Sequence, residues 1–168
     1  MTYFELFDIP VQLTVNPALL SRQFFALSRQ FHPDLVAKES EAVQAEALET
    51  SALLNKAWKT FQHPDEVIKY VLQLKGLLEE EEKYELPPAF LMEVMDINEA
   101  LMDADGPDAV TGLQSSIDNL QSEIYAPVKE IIENYREGVT TEKELLQVKE
   151  YYYKKKYIDR IRKELDGR

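Results

Sequence analysis

Apolar residues recur along this chain at helical spacing, and no stretch alternates as a half-buried strand would. Leu20, Phe24, Leu27 and Phe31 fall on one side of a helix, while Arg22 and Arg29 share another side that faces water or a partner. A longer helix, from near Ser40 to about Phe61, carries the stripe Val43, Ala47, Leu54, Ala57, Trp58 and Phe61. A fourth, roughly 65–75, presents Val67, Tyr70, Val71 and Leu74 and stops at Gly76. Beyond Pro88 the pattern gives three further helices, about 89–104, 109–137 and 142–165, the middle one kinked at Pro127. Short connections between those three imply an antiparallel bundle.

The punctuation supports these boundaries. Thr2-Tyr3-Phe4-Glu5 and Thr141-Glu142-Lys143-Glu144 fit capping boxes, each hydroxyl meeting an amide three residues on while the glutamate reaches back. The first box opens a short helix that ends before Pro10. Asn16-Pro17 opens the second helix, with Pro17 at a position where the missing N–H costs nothing. Pro33 disfavours helical geometry at His32, so that helix ends there and residues 33–40 form a loop. Gly106-Pro107 and Gly138 separate the later helices. Glu79–Glu82 and Pro87-Pro88 read as a junction, because like charges repel and paired prolines cannot continue a helix. The expectation is an all-α chain of two domains, 1–75 and 89–168, joined by residues 76–88.

Charge sharpens this picture. The formal net charge is −12, and residues 79–108 hold 11 acidic side chains against Lys83 alone. Such a field repels phosphates and argues against nucleic-acid binding. With no cysteine there is no disulfide, thiolate metal ligand or cysteine nucleophile. No apolar run approaches the ~18 residues that cross a bilayer, and no segment has signal-peptide character. A cytoplasmic protein with no membrane or cofactor is the expectation.

The triplet His-Pro-Asp occurs twice, at 32–34 and 63–65. The second has a sufficient structural account: Pro64 suits a first helical turn and Asp65 sits at the positive end of the helix dipole. The first follows a helix with an arginine face and precedes a longer loop, and residue chemistry alone leaves both a structural and a binding role open. An acid–base enzyme built on His32 and Asp34 lacks a nucleophile motif or phosphate loop beside it. Two histidines thirty-one positions apart, each before a proline, make a poor metal site. No catalytic residue and no metal ligand is therefore expected.

Tyr3-Phe4-Glu5-Leu6-Phe7, the second helix, His32-Pro33-Asp34 and Ala52–Phe61 occur in the order and spacing of a J domain, which they resemble over roughly residues 1–75. The continuation, with Asn55-Lys56-Ala57-Trp58, Phe61-Gln62-His63-Pro64 and Ala89-Phe90-Leu91-Met92-Glu93, resembles the HscB family of J-type co-chaperones. Eukaryotic relatives add a cysteine-rich metal site, so this cysteine-free chain looks like the bacterial form. The resemblance implies that His32, Pro33 and Asp34 stimulate ATP hydrolysis by a DnaK-like chaperone of the HscA type. Arg22, Arg29 and Lys38 would orient its docking on an acidic surface.

The helix at 89–104 has a second apolar stripe. Phe90, Val94, Ile97 and Leu101 form the bundle stripe, while Leu91, Met95 and Met102 lie about 100° away, Met92 further round, and Asp96, Glu99 and Asp103 at the edge. Two readings are open: both stripes buried, or an exposed apolar patch with an acidic rim. The resemblance implies that Leu91, Met92, Met95, Asp96, Glu99, Asp103 and an aromatic of the last helix, matched by Tyr153, bind the iron–sulfur scaffold protein IscU. The function then expected is delivery of that scaffold to the chaperone, the alternative being a J-domain co-chaperone for a different client.

Overall fold

The computed structural model describes residues 1–167, and the helices resolve into two compact units, Met1–Val71 and Leu72 to the C-terminus. The described residues contain helices and turns and no strand. In the first unit, α1 (Tyr3–Leu6), α2 (Pro17–Gln30), a single 3₁₀ turn (Pro33–Val36), α3 (Glu41–Phe61) and the start of α4 (Pro64–Leu74) follow in order. The Thr2–Glu5 capping box forms as both reciprocal bonds, and the Asn16 and Ser40 side chains cap α2 and α3.

α2 and α3 fold back on each other as a helical hairpin. The closing contacts are aromatic: Phe24 stacks on Trp58 with ring centroids 4.7 Å apart, and Phe7 meets Phe61 edge-on at 5.1 Å. Phe4, Leu13, Leu20, Leu54, Ala57 and Phe61 are buried around them. The Gln23 amide donates to the Phe7 carbonyl, and the Tyr3 amide donates to the Tyr70 hydroxyl at 2.9 Å, so α1 is held from both neighbours. The expected α3 stripe does not extend to its first turns: Val43 is exposed, because the core lies against the C-terminal half of the helix. Leu74, expected on the apolar face of α4, is also exposed.

The second unit is a bundle of α5 (Pro88–Asp103), α6 (Pro107–Tyr125) and α8 (Glu142–Asp166), with a short α7 (Lys129–Glu133). The expected single kinked helix over 109–137 is two helices. Pro127 offers no N–H to continue the ladder, and residues 126–128 turn instead of bending. Phe90, Val94, Leu113, Ile117, Leu120, Val148, Ile158 and Ile161 fill the core. Arg162 of α8 reaches α6, bonding Gln121 at 2.9 Å and pairing with Asp118 at 3.0 Å. Gly76, Gly106 and Gly138 take positive φ at the ends of their segments, the backbone geometry that glycine adopts without a Cβ clash.

The acidic junction does not run free. Glu82 pairs with Lys149 of α8 at 2.6 Å, and Tyr84 stacks on Tyr153, centroids 4.6 Å apart and nearly parallel. No buried polar or charged side chain occurs among the described residues. No described helix is long and apolar enough to cross a membrane.

Candidate functional site

The turn after α2 is built locally. The Phe31 amide makes the last helical bond, to the Leu27 carbonyl at 3.0 Å. Ahead of Pro33, His32 is forced into extended backbone, φ −64° and ψ 129°, and becomes the cap of the 3₁₀ turn. Its Nδ1 accepts from the Asp34 amide at 3.2 Å, and its carbonyl accepts from Leu35 at 3.0 Å. The other end of the loop is tied to α3, where the Gln44 side chain donates to the carbonyls of Ala37 and Glu39.

Backbone and cap thus fix the corner while its chemistry faces outward. The His32 and Asp34 side chains are 54% and 90% exposed, and Nδ1 lies 3.6 Å from the Asp34 Oδ2. The carboxylate retains open acceptor positions, suited to a charge-assisted bond from a partner's guanidinium. Arg22, Arg29 and Lys38 are all exposed. The second triplet differs: Pro64 opens α4, and the His63 carbonyl accepts from the Glu66 and Val67 amides at 3.0 and 3.1 Å. Those bonds are what a helix start requires.

On α5 the two stripes part. Phe90, Val94 and Leu101 are buried, whereas Leu91, Met92 and Met95 are 36%, 67% and 59% exposed, with Met102 exposed beyond them. Asp96, Glu99 and Asp103 are exposed along the same side. The result is an apolar, methionine-rich surface edged by carboxylates, an arrangement that adapts to a partner's shape and screens against anions.

Tyr153 is less exposed than these α5 side chains. It lies half-buried between Tyr84 and the edge of Tyr152, and burial, aided by the nearby Glu82 carboxylate, raises its phenol above the usual tyrosine value. Tyr151 and Tyr152 are buried. Tyr157 of α8 lies edge-on to Phe90 of α5 at 6.4 Å. Three consecutive tyrosines, Tyr151 to Tyr153, gave the sequence no register, and Tyr157 four residues on is the position one turn along the same face. A second residue that periodicity passed over is Phe25, exposed on α2 beside the inward Phe24.

The family model described as the HSCB C-terminal oligomerisation domain matches residues 86–166. Two relatives, each named a co-chaperone protein HscB homolog and found in two strains of Vibrio cholerae, are 32% identical over 171 residues, spanning 99% of this chain and 95% of theirs. The crystal structure of human co-chaperone protein HscB superposes with a TM-score of 0.80 at 28% identity, covering 99% of this chain and 81% of the human one. Chaperone HscB from Vibrio cholerae gives a TM-score of 0.75 at 30% identity, covering 99% and 96%.

Proposed function

This chain belongs to the HscB family, J-type co-chaperones of iron–sulfur cluster assembly that are not enzymes, and from that premise we propose that it couples an IscU-type scaffold to an HscA-type ATPase in the cytoplasm. The first unit, about residues 1–75, acts as the J domain and the bundle from about residue 89 as the scaffold carrier. The observation that carries this reading is the exposed, capped corner at His32-Pro33-Asp34, at the end of a helix whose arginines face solvent.

A preformed corner loses little freedom when clamped, because Pro33 already restricts it. Asp34 accepts a bond from a cation of the ATPase, and His32 holds the backbone that aims it. Arg22, Arg29 and Lys38 orient the encounter on an acidic surface. No covalent step occurs on this chain. It shifts the ATPase between conformations by binding one of them more tightly. Leu91, Met92, Met95, Asp96, Glu99 and Asp103 receive the scaffold, with Tyr153 in the last helix as the aromatic of that site. The test is steady-state ATP hydrolysis by the chaperone with this protein added. Asp34→Asn keeps the fold and abolishes stimulation, and full stimulation by that variant would refute the assignment.

A further inference from the structure

The outward face of α2 carries more than its arginines. At about 100° per residue, Arg22, Phe25, Ala26 and Arg29 occupy one sector, opposite Leu20, Phe24, Leu27 and Phe31. Phe25 is 59% exposed, and among the described residues the ring that it meets is Phe24, tilted with centroids 5.5 Å apart. Phe24 is spent on Trp58. Arg22 and Arg29 take no ion pair among the described residues, in a chain with 31 acidic side chains. A phenyl ring standing in water between two uncompensated guanidiniums leaves both apolar surface and charge to be satisfied by a partner. The sector runs to within three residues of His32.

We propose that Phe25 is the apolar anchor with which α2 docks on the ATPase. The complementary surface is an apolar hollow flanked by carboxylates, which meet Arg22 and Arg29 while the ring enters the hollow. This rests on the function proposed above and deepens it. A central ring rimmed by charges has the anatomy of an interface hot spot. The division of labour follows from the chemistry: the arginines set the encounter rate and its salt dependence, and the ring sets how long the complex lasts. The sector is continuous with the triggering corner, so an occupant other than the ATPase would obstruct the corner. That favours the ATPase over a second copy of this chain, although the acidic 79–108 segment would also attract arginines.

The test is a titration of full-length protein into the ATPase, scored as half-maximal concentration and maximal stimulation at low and at raised salt. Phe25→Ala and Phe25→Gln are expected to raise the half-maximal concentration about tenfold at both salts, the effect of leaving a phenyl ring unburied. Their maximal stimulation and thermal unfolding stay as in the parent, since the ring is exposed. Arg22→Ala with Arg29→Ala shows a deficit that narrows as salt is raised. An unchanged half-maximal concentration for Phe25→Ala, with Asp34→Asn inactive, overturns the anchor and leaves the general function standing. Full stimulation by Asp34→Asn overturns both. Lower maximal stimulation without a shift in concentration places Phe25 in triggering and overturns the docking role. A dimer of the parent protein that Phe25→Ala abolishes assigns the face to a second copy and also overturns it.

Discussion

Consider replacing Leu91, Met92 and Met95 together by alanine. Covering a leucine or methionine completely is worth about 1.5–3 kcal/mol. Only the surface now in water contributes to binding a scaffold, and the three side chains are 36%, 67% and 59% exposed. Met92 and Met95 then contribute about 1–2 kcal/mol each and Leu91 about 0.5–1 kcal/mol, if a partner buries them fully. The sum, about 2.5–5 kcal/mol, corresponds to a loss of roughly two to three and a half decades in affinity. Stability responds on another scale, because exposed positions away from the core change it by about 0.5 kcal/mol or less each. Val94→Ala, on the buried stripe one turn away, costs stability directly by opening a cavity. Calorimetric titration with an IscU-type scaffold, paired with thermal unfolding, separates the two. Unchanged affinity in the triple variant, or unfolding as severe as that of Val94→Ala, would show that these three side chains do not form the scaffold surface.

Other expectations follow from single contacts. Lys149, first through its hydrogen bond, and then the Glu79 amide hold the Glu82 carboxyl below its ordinary value of 4.5. The folded chain therefore keeps Glu82 ionised where the unfolded chain begins to protonate it, and the stabilisation, complete above about pH 4.5, is lost as pH falls through the lowered folded value. Glu82→Gln should lower the unfolding temperature at pH 7, with the gap from the parent closing on acidification. Tyr70→Phe removes the acceptor for the Tyr3 amide and should cost about 1 kcal/mol, or about 2–4 °C in thermal unfolding. Burial raises the phenols of Tyr84, Tyr125 and Tyr153. Their protonated forms persist above pH 10 only in the folded state, so stability should fall as pH rises past that value, visible in a pH series of unfolding temperatures.

The local chemistry of the chain made much of this fold legible. Thr2 with Glu5, Asn16 with Pro17, Ser40, and Thr141 with Glu144 are caps whose side-chain bonds form as their residue types dictate. His32-Pro33-Asp34 was legible as a turn, but the capping bond from the Asp34 amide to the His32 ring was not, since it depends on the 3₁₀ turn that follows. Tertiary context decided the remainder. Val43 repeats at core spacing, yet α3 outruns the core that would cover it. At Pro127 the expected kink is a break into two helices, because residues 126–128 turn where a bent helix would continue. The run Tyr151 to Tyr153 places like residues on adjacent faces, so periodicity cannot say which ring is buried. On α5 the width of the apolar arc raised the question of a second surface, and only the packing of Phe90, Val94 and Leu101 shows which stripe is left outside.

In the proposed function one chain joins a carrying surface to a triggering corner. The direct measurement is ATP hydrolysis by an HscA-type chaperone with scaffold and this protein added singly and together. The parent protein and scaffold together should exceed the sum of their separate effects, the Leu91, Met92 and Met95 triple variant should keep its own stimulation but lose the gain from scaffold, and Asp34→Asn should lose both. A triple variant with the full joint gain, or a joint gain with Asp34→Asn, would contradict it.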